Sequence, residues 1–424
     1  MIEPRSILRR LFDVAVAAAD PARVIVGRLP PEVPGRTVVI GAGKASAAMA
    51  AAFEQAWEQA GRGPLSGLVV TRYGHAHPCH SIEIVEAAHP VPDEKGAAVA
   101  ARIVDLVSGL GEDDQVVALI SGGGSSLLSL PPDDVGREAK REVNRVLLRS
   151  GASIHEMNCV RKHLSRIKGG RLAQAAHPAR VHSLVLSDIP GDDPALVASG
   201  PTIPDDADRS DALAIVARYA MDLPPAARAW LESPAADAPR PDDQEFAGDT
   251  VVVVAAAEMS LRAAAEEARG LGLAVHILSD ALEGEARDVG ALHAAIARRI
   301  AEKGEPFARH CVVLSGGETT VTVRAKGGRG GRNAEFLLAL ADGIAGFGGI
   351  TALAADTDGI DGTEDNAGAI CDGATVARLA AEGRTAKGFL AANDAYTAFA
   401  MLGDLVVTGP TRTNVNDFRA ILIV

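Results

Sequence analysis

The stretch VVIGAGKAS, residues 38–46, decides the fold class of this chain. Three apolar residues end at a Gly-Ala-Gly turn, and an alanine-rich run continues to Trp57, which predicts a strand, a tight turn and a helix. Such a turn directs backbone N–H groups and the positive end of a helix toward one point. We therefore expect Gly41, Gly43 and Lys44 to bind a phosphate or carboxylate. An ordinary turn with a solvated lysine is the alternative.

The same order of strand and turn recurs along the chain. Apolar runs at 115–120 and 181–186 end in turns rich in Gly, Ser or Asp, and a similar rhythm restarts at 251–254 after a stretch rich in Pro and Asp at 203–249. Helices alternating with buried strands are typical of α/β domains with largely parallel sheets. We predict two such domains, with a boundary near 235–248.

Composition excludes several classes of protein. The 424 residues carry a net charge of −13, which argues against a surface for nucleic acid. Aromatic residues make up 3% of the chain, so the core must consist mainly of Ala, Val, Leu and Ile. The 4 cysteines are scattered without a CxxC pair, no apolar run reaches the ~18 residues of a membrane span, and the first residues do not form a signal peptide. We expect a cytoplasmic protein without a membrane partner.

Two further segments have the composition of anion sites. The run SGGGSS at 121–126 follows a predicted strand and offers hydroxyls and closely approachable backbone, as a cradle for a phosphate or a small hydroxy acid would. Its serines could instead cap a helix. The run RKHLSRIKGGR at 161–171 concentrates positive charge in an acidic chain and could offset the negative charge of a nucleotide triphosphate. Such runs are, however, usually solvated helix faces.

Carboxylates also follow predicted strands. Asp188 and Asp192 come after the strand that ends at 186, and Asp358 lies in the run DTDGIDG at 356–362. A carboxylate at this edge of a sheet can hold Mg²⁺ or take a proton from a substrate hydroxyl. Asp-rich turns without a ligand are the alternative. Arg332 lies in a glycine-rich loop at 327–333 that could fold over a phosphate or form a solvated hairpin.

A dinucleotide site is disfavoured but stays open. The turn at 41–46 half-matches the dinucleotide fingerprint, with Ser46 in the place of the third glycine. The acidic residue that would bind the ribose is replaced by Thr71-Arg72-Tyr73 after the next strand. NAD is therefore disfavoured, whereas NADP beside Arg72 is not excluded.

These motifs in this order resemble the glycerate 2-kinases of the MOFRL type. The resemblance spans nearly the whole chain and rests on GAGKA at 41–45, SGGGSS at 121–126, RKHLSRIKGG at 161–170, SDIPGD at 187–192, SGGE at 315–318, GGRN at 330–333 and TNVND at 413–417. One departure from the pattern of the family is Ala88, directly before His89, where we expect glycine. The resemblance implies an N-terminal Rossmann-like three-layer domain over 1–240, a smaller C-terminal MOFRL domain over 241–424, and an active site in the cleft between them.

The resemblance also implies a reaction and its residues. The reaction is phosphorylation of D-glycerate at the 2-hydroxyl by ATP with Mg²⁺; an NADP-dependent hydroxypyruvate reductase and a non-catalytic binder of nucleotides or sugar acids are the alternatives. Oligomeric state stays open, with a homodimer as one option. Expected catalytic residues are Lys44, Asp188 and Arg332. Expected binding residues are Gly41, Gly43, Ser121, Gly122, Gly123, Gly124, Ser125, Ser126, Arg161, Lys162, Glu318 and Asn416, and expected metal ligands are Asp188, Asp192 and Asp358.

Overall fold

The computed structural model describes residues 3–189 and 191–424. The chain forms two compact units. We call residues 24–187 and 193–254 the first unit, and residues 3–23, 188–189, 191–192 and 255–424 the second unit. Within the described residues, no helix has the length and apolar character that crossing a membrane requires.

A six-stranded sheet forms the centre of the first unit, in the order β3-β2-β1-β4-β5-β6. The pairs from β3 to β5 are all parallel. Parallel strands covered by helices are buried on both sides, which explains the continuous apolar run of β1. The strands are β1 (Thr37–Ala42), β2 (Leu65–Arg72), β3 (Ile82–Ala87), β4 (Gln115–Ser121), β5 (Arg180–Leu186) and β6 (Thr250–Ala255).

Ten helices precede β6 in the described chain. The short helix α5 follows β4 directly, so the SGGGSS segment forms a strand-to-helix turn. Three 3₁₀ turns at Val197–Ser199, Pro234–Ala236 and Gln244–Phe246 complete this part. The helices are α1 (Pro4–Ala18), α2 (Pro21–Val24), α3 (Ser46–Gln59), α4 (Glu94–Val107), α5 (Gly124–Leu127), α6 (Gly136–Ser150), α7 (Ile154–His163), α8 (Arg171–Ala176), α9 (Arg209–Arg218) and α10 (Pro225–Glu232).

The second unit contains a mixed six-stranded sheet in the order β13-β12-β11-β14-β9-β7, in which only β7 and β9 pair in parallel among the pairings of its described strands. A separate parallel pair joins β8 and β10. The strands are β7 (Ala274–Ile277), β8 (Gly284–Glu285), β9 (Cys311–Gly317), β10 (Thr319–Thr320), β11 (Ile350–Asp356), β12 (Gly368–Asp372), β13 (Leu405–Val406) and β14 (Asp417–Ile423). The helices are α11 (Ala257–Gly270), α12 (Ala286–Lys303), α13 (Arg332–Gly343), α14 (Thr375–Ala381), α15 (Ala386–Ala391) and α16 (Ala395–Leu402).

Alternating side chains of this second sheet pack into two separate cores. On β9, Val313 faces the core formed with α12 and α13, whereas Val312 and Leu314 face the core formed with α1 and α11. Successive residues of a strand point to opposite faces, so an all-apolar strand predicts burial on both sides. The second unit is therefore a three-layer α/β/α structure. The predicted α/β class is confirmed for both units, but the expectation of a largely parallel sheet is wrong for the second, whose described pairings are mainly antiparallel.

Two elements lie elsewhere than the sequence pattern predicts. The strand at 251–254 does not restart the rhythm of a second domain, because β6 joins the first sheet beside β5. Helix α1 belongs to the second unit, where Leu8, Leu11 and Phe12 pack with α11 residues and with Phe418. The compact units consequently do not divide at 240/241. Apolar periodicity identifies a buried face but not the surface that covers it.

The turns after β1 and β4 interlock at the edge of the first sheet. The N–H of Lys44 donates to the carbonyl of Gly122 over 2.8 Å, and the N–H of Ala45 donates to the Ser121 hydroxyl over 3.1 Å. Gly43 has a φ of +142° and lies so close to this segment that a Cβ atom there would be 2.1 Å from Ser121 Oγ. Only glycine accommodates both the backbone conformation and the contact.

We predict that Gly43→Ala lowers the free energy of unfolding by about 2–4 kcal/mol, because it adds backbone strain to an overpacked contact. Urea denaturation followed by circular dichroism measures the change. Gly63→Ala is the control, since a Cβ there would meet its nearest atom at 3.9 Å, and it should change stability by less than about 0.5 kcal/mol. Equal effects of the two substitutions would contradict the interlock.

Candidate functional site

The backbone N–H groups of the first glycine turn, at residues 43–46, donate hydrogen bonds to other groups of the protein. The N–H groups of Gly43, Lys44, Ala45 and Ser46 donate to the Val70 carbonyl, the Gly122 carbonyl, the Ser121 hydroxyl and the Gly43 carbonyl, respectively. Gly41 is constrained in the same way, since a Cβ there would lie 2.6 Å from the Leu119 carbonyl oxygen. The structure thus gives Gly41 and Gly43 a packing role and differs from our expectation that this turn presents N–H groups to an anion.

Lys44 and His89 approach each other at Gly123. A Cβ on Gly123 would lie 2.9 Å from His89 Nε2 and 3.3 Å from Lys44 Cγ, and Gly123 has a φ of +81°. The His75 Nδ1 atom lies 3.3 Å from the Lys44 carbonyl oxygen on the other side. The second glycine run therefore leaves room for the Lys44 side chain, which a larger residue at Gly123 would displace.

A pocket of about 590 Å³ opens beside Gly123 within the first unit. Its floor carries Ser125, Ser126 and three cationic side chains, and the arginines of α6 form its rim. Of the described residues that line it, Asp93 is the only acidic one. That carboxylate already caps α4, because it accepts hydrogen bonds from the N–H groups of Gly96 and Ala88. The cationic lining residues are Arg137, Lys140, Arg141, Arg145, Arg161 and Lys168.

Two lysines of this pocket are buried among neutral partners. Lys168 Nζ donates to the Ser125 carbonyl over 2.6 Å and to the Ser125 hydroxyl. Lys140 Nζ donates to the carbonyls of Arg161 and Leu164 over 3.1 and 3.0 Å. Burial, with help from the charge of Arg161, lowers the pKa of Lys140 to about 7, and burial also lowers the pKa of Lys168. Both ammonium groups would gain from an anion in the pocket.

The basic run at 161–171 divides between pocket and core. Arg161 lines the pocket and donates to the side-chain oxygens of Asn144 and Asn158. Lys162, which we expected to bind substrate, is instead buried in an ion pair with Asp205 and does not line the pocket. Arg161 and Lys162 are neighbours on α7, and successive side chains of a helix point about 100° apart, so one can line the pocket while the other is buried.

A second group of predicted residues lies in the second unit. The Asp188 carboxylate accepts a hydrogen bond from Asn414 Nδ2 over 3.2 Å, and the Asp188 carbonyl accepts one from Asn416 Nδ2 over 2.5 Å. Asn416 is held in turn, because its carbonyl accepts from both the N–H and the hydroxyl of Thr357. The motif at 413–417 therefore positions Asp188.

Arg332 lies in the same unit, at the first residue of α13, among three carboxylates. Its Nε atom donates to Asp417 over 2.8 Å, one terminal nitrogen donates to Asp356 over 2.7 Å, and the other pairs with Glu318. Burial alone would lower the pKa of Arg332, but Asp417, Asp356 and Glu318 outweigh it and raise this pKa. The fork of the guanidinium suits three such contacts.

The start of α13 depends on one buried carboxylate. Asp361 accepts hydrogen bonds from the N–H groups of Asn333 and Ala334 over 3.0 and 2.9 Å. These two donors lie in the first turn of the helix and have no partner inside it. Asp361 thereby holds the segment on which Arg332 stands.

The predicted metal ligands are not gathered in one place. Asp358 accepts a hydrogen bond from the Ile360 N–H over 2.8 Å and its own N–H donates to Asp356. In the part of the chain that the structure describes, no three or more His, Cys, Asp or Glu side chains form a group that could hold a metal ion. Asp188, Asp192 and Asp358 therefore do not form a preassembled site.

Comparison with known proteins gives this geometry its context. A family model described as a domain of unknown function (DUF4147) matches residues 7–232, and the MOFRL family model matches residues 311–417. The D-glycerate 2-kinase of Thermotoga maritima is 38% identical over 430 residues, covering 100% of both chains. The chain belongs to the MOFRL-type glycerate kinase family.

Other members of the family have different names. A protein of Agrobacterium vitis, provisionally named hydroxypyruvate reductase, is 55% identical over 100% of this chain and 95% of its own. The crystal structure of a glycerate kinase from Thermotoga maritima has a TM-score of 0.88 at 36% identity and covers 99% of this chain and 100% of that one. The resemblance stated from the motifs is thereby confirmed.

Lys140 and Lys168 are two buried pocket residues that we did not predict. Lys168 lies inside the basic run but has no spacing that separates it from its neighbours. Lys140 carries a readable signal, because it shares the buried face of α6 with Val143 and Leu147, where an apolar residue is the norm. A lysine in an apolar helical stripe therefore marks a candidate functional position.

We predict that the stability of the folded protein depends on pH through Asp361. Burial raises the pKa of this carboxyl to about 6, so the folded state binds its proton more tightly than the unfolded state. The resulting stabilisation is present near pH 4 and is lost as the pH rises through 6. The stability of the wild type relative to Asp361→Asn should therefore fall by about 2–3 kcal/mol between pH 4 and pH 7.

Thermal melts of the wild type and Asp361→Asn at four pH values test this expectation. Asp134→Asn, at an exposed position on the same chain, is the matched control and should leave the pH profile unchanged. A difference between wild type and Asp361→Asn that does not vary with pH would refute the prediction.

Proposed function

We propose that this protein phosphorylates D-glycerate at its 2-hydroxyl with ATP and Mg²⁺, giving 2-phosphoglycerate and ADP. One observation carries the proposal: in a chain of net charge −13, Lys140 and Lys168 are buried in a pocket, and among the described residues neither pairs with a carboxylate. Buried cations without counter-ions are costly unless an anion binds to them. The names of the Thermotoga maritima and Pyrococcus horikoshii relatives, D-glycerate 2-kinase and glycerate 2-kinase, agree with this reaction.

Phosphoryl transfer requires charge neutralisation and an oriented acceptor hydroxyl. The candidate residues can be given these two roles. Lys44 and Arg332 would neutralise the transferring phosphoryl group. A phosphate oxygen can replace Glu318 at Arg332 more readily than Asp417, since the Glu318 side chain is 48% exposed and that of Asp417 is 0% exposed. Asp188, held by Asn414 and Asn416, would orient or deprotonate the glycerate hydroxyl.

A bound Mg²⁺ would supply further charge neutralisation at the phosphates. Its proposed ligands are one or two of the carboxylates of Asp188, Asp192 and Asp358. Magnesium usually takes one or two carboxylates and completes its coordination with water and substrate phosphates, so the absence of a cage among the described residues is compatible with this role.

An NADP-dependent reduction of hydroxypyruvate is the less favoured alternative. It draws on the name of the Agrobacterium vitis relative and on the half-matched fingerprint at residues 41–46. Dinucleotide folds present the backbone of this turn to the pyrophosphate. Here the N–H groups of Gly43, Lys44, Ala45 and Ser46 bind internal acceptors.

The decisive assay incubates the purified protein with ATP, Mg²⁺ and D-glycerate and identifies the product by NMR. We expect 2-phosphoglycerate together with ADP. Absence of any phosphoglycerate would overturn the proposal. Oxidation of NADPH on addition of hydroxypyruvate, followed by absorbance, would favour the reductase, and nucleotide binding without turnover would favour a regulator.

We predict that Lys44→Met lowers kcat by at least about a hundredfold with little change in stability, because it removes a charge that acts on the transition state. Lys387→Met, at an exposed position, is the control and should retain full activity. Steady-state kinetics and a thermal melt measure the two effects. Equal kcat values for Lys44→Met and the control would exclude Lys44 from the chemistry.

Arg332 requires a more conservative substitution. Arg332→Ala would remove one positive charge from the buried carboxylates of Asp417 and Asp356, which costs about 3–5 kcal/mol and complicates the interpretation of any loss of activity. Loss of activity in Arg332→Ala alone would therefore not establish a catalytic role for this residue. Arg332→Lys keeps the charge but not the three-way fork, and should lower kcat by about tenfold or more.

A further inference from the structure

Charge is unevenly compensated around the pocket of the first unit. Lys140 and Lys168 are 8% and 4% exposed, and within the described part of the chain they donate hydrogen bonds to carbonyl and hydroxyl oxygens. Arg161 donates only to side-chain oxygens of two asparagines in the described contacts. Neighbouring Lys162 is neutralised by Asp205. Three basic side chains therefore face one pocket without a partner carboxylate among the described residues.

This excess of charge distinguishes between the two substrates of a kinase. Burial lowers the pKa of Lys140 and Lys168. The single carboxylate of a small hydroxy acid could therefore compensate only one of the three groups in its charged form. A polyphosphate chain carries several negative charges along its length and has an oxygen for each cation. Charge-assisted contacts of Lys and Arg with phosphate are also among the stronger hydrogen bonds in proteins.

The volume of the cavity and its exposed apolar side chains also favour a ligand larger than a small hydroxy acid. A cavity of about 590 Å³ falls within the ~300–1,000 Å³ of pockets for drug-sized ligands, well beyond what a three-carbon acid fills. Val91 and Leu148 line this cavity and are 72% and 70% exposed. Large apolar side chains exposed in a pocket indicate a ligand with an apolar face, such as a nucleobase.

We propose that this pocket binds the nucleoside triphosphate, with the polyphosphate on Lys140, Arg161 and Lys168 and the base against Val91 and Leu148. The proposal rests on the proposed function for the identity of the phosphate donor. It places the terminal phosphate toward Gly123, because Gly123 borders the pocket and lies next to Lys44 Cγ. Arg141, on the rim, adds long-range attraction.

Direct binding tests the assignment without turnover. Isothermal titration calorimetry of the full chain with Mg²⁺ and a non-hydrolysable ATP analogue measures the affinity in the absence of glycerate. We expect Lys168→Met to weaken binding by about ten- to a hundredfold, since it removes a charged hydrogen bond to phosphate. Arg141→Gln should weaken binding by about two- to fivefold.

Matched variants separate the pocket from general effects on the fold. Arg149→Gln, on the same helix but outside the pocket lining, should change the affinity by less than about twofold. Leu148→Ala should weaken binding of the ATP analogue by about three- to tenfold. It should leave binding of inorganic tripolyphosphate unchanged, because only the base would contact that side chain. Both Arg141 and Leu148 are exposed, so these variants remain informative if Lys168→Met fails to fold.

The outcomes distinguish this inference from the proposed function. Unchanged affinity for the ATP analogue in Arg141→Gln and Leu148→Ala, with a raised KM for D-glycerate, would overturn the inference and assign the pocket to the acid. Weakened nucleotide binding in these variants, with an unchanged KM for D-glycerate, would support it. If the wild type binds the analogue with this pattern but forms no phosphoglycerate, the inference stands and the proposed function fails.

Discussion

The contact between the turns after β1 and β4 is the constraint on which the first unit depends. These two strands are neighbours in a parallel sheet, so their carboxyl ends lie at the same edge and their connections compete for the same space. The chain resolves this competition by omitting side chains at Gly43 and Gly123 and by joining the two turns through Ser121. Lys44 and the pocket beside Gly123 are placed as a consequence.

Electrostatics differ sharply between the two groups of candidate residues. In the first unit, Lys140 and Lys168 are buried with neutral partners and would gain from a polyanion. In the second unit, Arg332 is surrounded by carboxylates, and Arg419 is fully buried against Asp417. Phosphoryl transfer needs both kinds of environment, one that neutralises the donor phosphates and one that orients an acceptor hydroxyl. The two units thus differ in the charge of the groups that surround their candidate residues.

Buried polar networks also determine which substitutions are informative. Arg332 is both a candidate catalytic group and the counter-charge of Asp356 and Asp417. Lys162 appears functional from its motif, yet its ion pair with Asp205 makes it a structural residue. Residues with exposed side chains at the pocket rim have no such dual role, and their effects can be attributed more directly to ligand binding.

Local sequence determined the strand–turn–helix at 38–57 and the α/β class of both units, and it singled out Lys44, Ser125 and Arg161 as candidate site residues. These features follow from periodicity and from residues whose backbone preferences act within a few positions. Only the tertiary structure decided that β6 completes the first sheet, that α1 covers the second, and that Lys140 and Lys168 share a pocket. Each of these facts depends on pairing between segments distant in sequence, and an apolar or charged pattern does not specify its partner.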